Sequence, residues 1–210
     1  MKRFDIITES DARVLEYGDT VVLARRGHVT PLAQDTLRAR RITVLTEGMV
    51  SEGERSLVPA ADIRSVAIAS DHTGIVLRQA LVAFLRGRGL AVNDLGTDTT
   101  EPVDYPDIAA TVARAVARGE ADAGIVIDSA GIGSAIAANK IAGVRAAMAT
   151  TETIARYARE HNGANVLTLG ASLVTADEAR AIVTTWIGTA MREPRYIRRL
   201  AKIRDLEKNP

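Results

Sequence analysis

Residues 124–140 read GIVIDSAGIGSAIAANK, and the architecture of the chain turns on what this stretch becomes. With the residues before it, ADAGIVID forms a nearly continuous apolar run that stops on Asp128. A parallel strand covered on both faces reads that way, because neither of its sides meets water. The run then passes through a Gly-rich turn into an Ala-rich helix start. The layout brings a carboxylate to the mouth of a loop whose backbone N–H groups and helix dipole favour an anion. A metal site, a phosphate clamp and a general base would each use that layout differently.

The same alternation of strand and helix extends on both sides of this unit. RSVAIAS is a strand ending at Asp71-His72, and Leu77, Leu81, Phe84 and Leu85 mark one face of the next helix, closed by Gly87 and Gly89. LAVNDLG is a strand and DIAATVARAVARG a helix; beyond the Gly loop come the strand VRAAMAT, the helix TETIARYAREH and the strand NVLTLG. Helices over about 176–190 and 194–206 complete the series. About five strands joined by right-handed crossovers imply an α/β fold with a doubly wound, Rossmann-like parallel sheet, residues 64–210. Ligands of such sheets bind beyond the carboxyl ends of the strands, which places Asp71, His72 and Asp128 on one rim.

Residues 1–60 form a separate small α/β unit. Thr20–Ala24 reads as a strand, Thr30-Pro31 as a helix start, a helix runs to about Arg40, and RITVLTE is a second strand. The polar SEGERS (51–56) reads as a linker. The opening MKRFDIITESD turns polar at once, as no signal peptide does, and no apolar run is long enough to span a bilayer. The net charge of +1 gives no global attraction to nucleic acid or membrane, and an aromatic content of 3% supplies no base-stacking platform. There is no cysteine, which removes disulfides, thiolate metal sites and a Cys nucleophile, and a cytoplasmic location is expected.

The Gly loop is neither of the common nucleotide motifs. A dinucleotide fingerprint needs glycine where Ile136 stands, and Lys140 lacks the preceding glycine and following Ser/Thr of a Walker loop. The chain has three histidines, His28, His72 and His161, without metal-ligand spacing, so neither metal nor cofactor is expected. His28 falls in the turn of the first unit. His161 ends a helix, where a cation suits the dipole. Asp71-His72 fits a helix cap as well as a ligand site. Arg195 and Arg199, one turn apart with Arg192 and Lys202 nearby, fit a solvated face as well as a phosphate grip.

Taken together, ASDHTG, the D-Y-P of Asp104-Tyr105-Pro106, GIVI…AGIG…IAANKIAGVRAA, REHNGANVLTLG and the tail Trp186, Gly188, Arg195, Arg199 resemble the ribose-5-phosphate isomerase B / galactose-6-phosphate isomerase family from about residue 64 onward. The resemblance implies a metal-independent aldose–ketose isomerase of a phosphorylated sugar, working through a cis-enediolate. It further implies a homodimer or homotetramer with shared active sites. Asp71, His72 and Tyr105 would bind the sugar, and His72 could also help ring opening or phosphate binding. The amides of 129–134, with Ser129, Gly131, Gly133 and Ser134, would hold the enediolate oxygen. His161 would open the sugar ring, Asn162 would bind substrate oxygens, and Arg195 with Arg199 would clamp the phosphate. His161 ends a helix returning from the rim, so it would reach a site most easily across a subunit interface.

The chain departs from that family at the proton-moving group. Relatives place a cysteine at the position of Asp128 or a glutamate at that of Ser134, and a threonine at that of Ala130. Asp128 is the base expected here; the competing reading makes it a cap, on a non-catalytic sugar-phosphate-binding or sensing module. An isomerase of an unphosphorylated sugar is the other rival. An arginine that many relatives carry is Ser172 here, which opens the substrate to four-carbon and six-carbon phosphates besides pentoses. Residues 27–35 (GHVTPLAQD) resemble short N-terminal segments of enzymes of bacterial microcompartments, so residues 1–60 would either recruit a partner or shell, or extend the oligomer interface.

Overall fold

The structure, a computed structural model, describes residues 2–46, 57–191 and 193–208, apart from the side chains of Thr20, Pro194, Arg195 and Lys208. The linker expected at 51–56 therefore lies outside the described residues.

The chain builds two all-parallel sheets. The first unit runs β1 (Arg3–Ile7), α1 (Glu9–Arg13), β2 (Thr20–Val29), α2 (Pro31–Ala39) and β3 (Thr43–Thr46), with the strands in the order β1-β2-β3. Its core is Ile7, Ala12, Leu15, Val21, Leu23, Ala33, Leu37 and Ile42. β1 and α1 were not expected from the sequence. Thr8 starts α1 with a capping box: its side chain accepts from the Asp11 amide while the Asp11 carboxylate accepts from the Thr8 amide. β2 is five residues longer than the expected Thr20–Ala24, because a bulge between the pairs Phe4↔Leu23 and Ile6↔His28 lets it continue. His28 thus sits in a strand and not in a turn.

The second sheet has five strands: β4 (Ser65–Ser70), β5 (Ala91–Asp94), β6 (Ala123–Asp128), β7 (Ala146–Met148) and β8 (Val166–Gly170), in the order β5-β4-β6-β8-β7. Its helices are α3 (Ile75–Gly87), α4 (Tyr105–Ala117), α5 (Ile132–Ala138), α6 (Glu152–Asn162), α7 (Ala176–Ile187) and α8 (Pro194–Lys208). Alternation along the strands sorts side chains by size. Val66, Ile68, Ile125, Ile127, Leu167 and Leu169 face a layer made by α3, α6 and α7. Ala67, Ala69, Val126 and Val166 face α4 and α5. The sheet is doubly wound, as the alternating pattern predicts.

The chain order reverses between β4 and β6: from β4 it moves outward to β5, then crosses back to β6. The helices that follow β4 and β6 lie on opposite faces, so a crevice opens at the carboxyl ends of these two strands.

One carboxylate fastens the other end of this strand pair. Asp122 accepts from the backbone N–H groups of Arg64 and Ser65 and from the Ser65 hydroxyl, at 2.8–2.9 Å. Partial burial pushes its pKa up, but those donors and the Arg64 charge outweigh burial and hold it below the usual 3.8. A depressed folded-state value means that this stabilisation is complete above the unfolded value and is lost as pH falls through the folded one. Urea midpoints of the wild type should therefore fall below about pH 4, and Asp122→Asn should remove that part of the fall. Parallel acid profiles for the two proteins would contradict the assignment.

Candidate active site

Asp71 and Asp128 lie side by side at the reversal point. The Asp71 amide donates to the Ile127 carbonyl at 3.1 Å, which ties the residue after β4 to the end of β6. Both carboxyl side chains are buried, each residue 5% exposed. Asp71 accepts from the amide (2.9 Å) and the hydroxyl (2.6 Å) of Thr73, which shapes the turn into α3. His72, half-buried, accepts the Val103 N–H on Nδ1 at 3.3 Å. An imidazole that accepts on Nδ1 carries its proton on Nε2, so His72 offers a donor to a ligand.

Asp128 is held by its own loop. One oxygen accepts from the amides of Ala130 (2.8 Å) and Gly131, the other from the amide (2.9 Å) and the hydroxyl of Ser134. Four donors match the roughly four lone-pair positions of a carboxylate. The carboxylate thus occupies the concavity that the sequence reading reserved for a substrate oxygen. Of the amides between 129 and 134, those of Ser129, Ile132 and Gly133 are not among its donors. Ser134 is fully buried and serves Asp128.

Glycine is required in this loop. Gly131 starts α5 at φ +75, a left-handed conformation, and a Cβ there would come within 2.8 Å of the Leu169 backbone. A Cβ on Gly133 would meet the Tyr105 ring at 2.6 Å, so Tyr105, at the start of α4, lies directly over the loop. The buried Thr168 hydroxyl donates to the Gly131 carbonyl at 2.7 Å. At the exposed lip the hydroxyls of Ser129 and Ser172 stand 3.0 Å apart.

The remaining expected site residues sit elsewhere. α6 leaves the carboxyl rim after β7 and returns to the amino edge of the sheet, ending in His161 and Asn162. That edge is separated from Asp128 by the length of a strand, about 15 Å for five residues. His161 is flanked by Tyr157 and Tyr196, and the Arg199 guanidinium lies 5.6 Å from the centre of the Tyr196 ring. The Asn162 side-chain amide donates to the Tyr157 carbonyl at 3.1 Å. Asn162 also lines a cavity of about 600 Å³ with Lys140, Arg145 and Glu207. The backbone of Arg195 belongs to α8, and its side chain and all of Arg192 are outside the described residues. The expected site residues therefore fall into two groups: Asp71, His72, Tyr105 and Asp128 on one edge of the sheet, His161, Asn162 and α8 on the other.

Gly163 joins the end of α6 to α8. It caps α6 at φ +55, and a Cβ would come within 2.8 Å of Leu200 on α8. Gly163→Ala should therefore destabilise the protein by about 1–2 kcal/mol, from left-handed strain with crowding added. Equilibrium unfolding measures it, and an unchanged midpoint would contradict this packing.

Sequence reasoning held the capping of Asp128 only as the competing reading, and missed the Val103 amide on His72 and the tyrosines around His161. Tyr157 carries a legible signal, four residues before His161 on one helix face. Tyr196 carries none, since its neighbour is 35 positions away.

Among the described residues no helix is long and apolar enough to cross a membrane, and no three His, Cys, Asp or Glu side chains converge as a metal cage would. Comparison with known proteins gives the family. The description ribose/galactose isomerase matches residues 66–203. Ribose-5-phosphate isomerase B of Escherichia coli (strain K12) is 41% identical over 145 residues, covering 69% of this chain and 97% of that protein. D-erythrulose-4-phosphate isomerase of Pectobacterium atrosepticum is 38% identical over 124 residues, 59% of this chain and 82% of its own. The solved structure of Clostridium thermocellum ribose-5-phosphate isomerase B superposes with a TM-score of 0.68 at 46% identity, covering 69% of this chain and 98% of that one. The chain belongs to the ribose/galactose isomerase family, and by that membership it is a sugar-phosphate isomerase with the Rossmann-like fold of its relatives.

Proposed function

We propose that the chain interconverts the aldose and ketose forms of a phosphorylated sugar through a cis-enediolate. It does so in the cytoplasm, as a homodimer or larger assembly whose sites each draw on two subunits. The supporting observation is the pair of buried carboxylates, Asp71 and Asp128, at the reversal point of the sheet. Asp128 takes the proton from C2 and returns it to C1 of the same face, while the carbonyl oxygen at C1 gains a proton and the hydroxyl at C2 loses one. Nothing else enters or leaves, so the step balances without a redox cofactor. Asp71, Tyr105 and the Nε2 proton of His72 orient the sugar, and the amides of Ser129, Ile132 and Gly133 face the oxygen that gains charge. From the neighbouring subunit, His161 opens the sugar ring, Asn162 holds its oxygens, and Arg195 with Arg199 grips the phosphate. The 1–60 unit extends the oligomer interface or docks a protein partner.

The four hydrogen bonds on Asp128 are the observation that favours the rival reading, a module that binds a sugar phosphate without turning it over. A panel of tetrose, pentose and hexose phosphates in D₂O separates the two. An isomerase incorporates deuterium at the exchanged carbon and forms the isomer of at least one of them; binding without incorporation for every member overturns the proposal. The Ser129–Ser172 hydroxyl pair at the lip, where many relatives carry an arginine, puts tetrose 4-phosphates high in that panel.

A further inference from the structure

We propose that Tyr157 and Tyr196 are positioning residues that lock the imidazole of His161 in a fixed plane, so that it meets the sugar ring in one orientation. This rests on His161 being the ring-opening group. The observation is a continuous stack on the far edge of the sheet. Arg156 lies over Tyr157 at 5.0 Å, Tyr157 is nearly parallel to His161 (4.7 Å, 16°), the Tyr196 ring is tilted by 34° against the imidazole at 4.7 Å, and Arg199 lies over Tyr196 at 5.6 Å.

A histidine at the end of an exposed helix has several rotamers open to it. Here two rings flank the imidazole, one from a residue of its own helix a turn earlier and one from the first turn of α8. The imidazole edge stays open: the side chain is 33% exposed, and its Nε2 lies 3.9 Å from the Glu160 carboxylate. Tyr157 is itself 45% exposed, so core filling does not account for it. The stack also joins α6 to α8, which fixes the distance from the imidazole to the Arg199 stem. A misplacement of about 1 Å in such a group costs up to roughly a hundredfold in rate, which makes a rigid mount useful on a surface.

The test pairs two substrates. D-Ribose 5-phosphate closes to a furanose and must be opened. D-Erythrose 4-phosphate cannot close that ring, because its O4 is esterified. Tyr157→Leu should lower kcat about tenfold on ribose 5-phosphate, with KM within about twofold and turnover of erythrose 4-phosphate unchanged; Tyr157→Phe, which keeps the ring, should restore it. An equal loss on both substrates, or a change in KM alone, overturns the proposal. A second measurement needs no turnover. With three histidines in the chain, the His161 Cε1–H NMR signal is assigned by its loss in His161→Asn. It should be shifted upfield by the flanking rings and move downfield in Tyr157→Leu; a signal that does not move overturns the stack in solution. If His161→Asn leaves ribose 5-phosphate turnover intact, the ring-opening reading fails on its own account, separately from the stack.

Discussion

Asp128→Asn should abolish exchange of the substrate's C2 proton with solvent, a loss of at least about a hundredfold in kcat, while substrate still binds with KM within about threefold. The amide oxygen of asparagine can still accept from Ala130 and Gly131. Its NH₂ group, however, meets the Ser134 amide where a carboxylate oxygen accepted, so some stability is lost, about 1–3 kcal/mol. That second effect requires a control that loosens the loop without removing the carboxylate. Ser134→Ala deletes one donor to Asp128 and frees a lone pair. If Asp128 moves the proton, Ser134→Ala keeps exchange at or above the wild-type rate while melting earlier. If Asp128 only caps the loop, Asp128→Asn melts earlier and exchanges normally. That outcome would remove Asp128 from the chemistry.

The proposed sharing of each site between two subunits makes a sharper prediction about assembly. Asp128→Asn and His161→Ala chains, each nearly inactive alone on a furanose phosphate, should regain activity when unfolded together and refolded as mixed dimers. Random pairing makes half of the dimers mixed, and each mixed dimer with sites built across the interface holds one fully intact site. The recovery is then about a quarter of wild-type activity. Sites built within one chain give no intact copy in any dimer, and the mixture stays inactive. The geometry that motivates this is the separation of His161 from Asp128 by the full length of β8. The exposed Ile132 and Ile136 beside the Asp128 loop offer apolar surface for the contact.

Much of this architecture was legible because the second unit obeys local rules. ADAGIVID reads as a buried parallel strand from hydrophobicity alone, and strand alternation with helices dictates double winding. The rim residues Asp71, His72 and Asp128 followed from that topology without any side-chain geometry. β1 stayed hidden because RFDII mixes charge with apolar residues and covers an edge, where burial imposes no strong pattern. α1 is only five residues long, although Thr8 and Asp11 announce its capping box. The extension of β2 through Arg25, Arg26 and Gly27 depends on a bulge, a feature set by the neighbouring strand. At the site, the commitment of Asp128 to its own loop was open to sequence reasoning only as an alternative. Whether a carboxylate turns toward a ligand or back onto the following helix depends on the φ of Gly131 and the place of Ser134, which spacing does not encode.

The segment between the two units has a consequence for anyone dividing the molecule. Arg145 and Arg159 reach across to the carbonyl oxygens of Leu57 and Ala60, at 2.9 and 2.7 Å. Arg159 is almost completely buried, and that burial, with the Arg145 charge beside it, lowers its pKa to about 10. A truncated chain beginning at residue 64 would keep every position matched by the family, yet it would take one acceptor from each of two guanidinium groups, leaving them the carbonyls of Gly163 and Ala164. A donor that loses its acceptor while still buried costs on the order of 1–3 kcal/mol. A truncated chain beginning at or before Leu57 should therefore unfold at a higher denaturant concentration than one beginning at residue 64, because it keeps both acceptors.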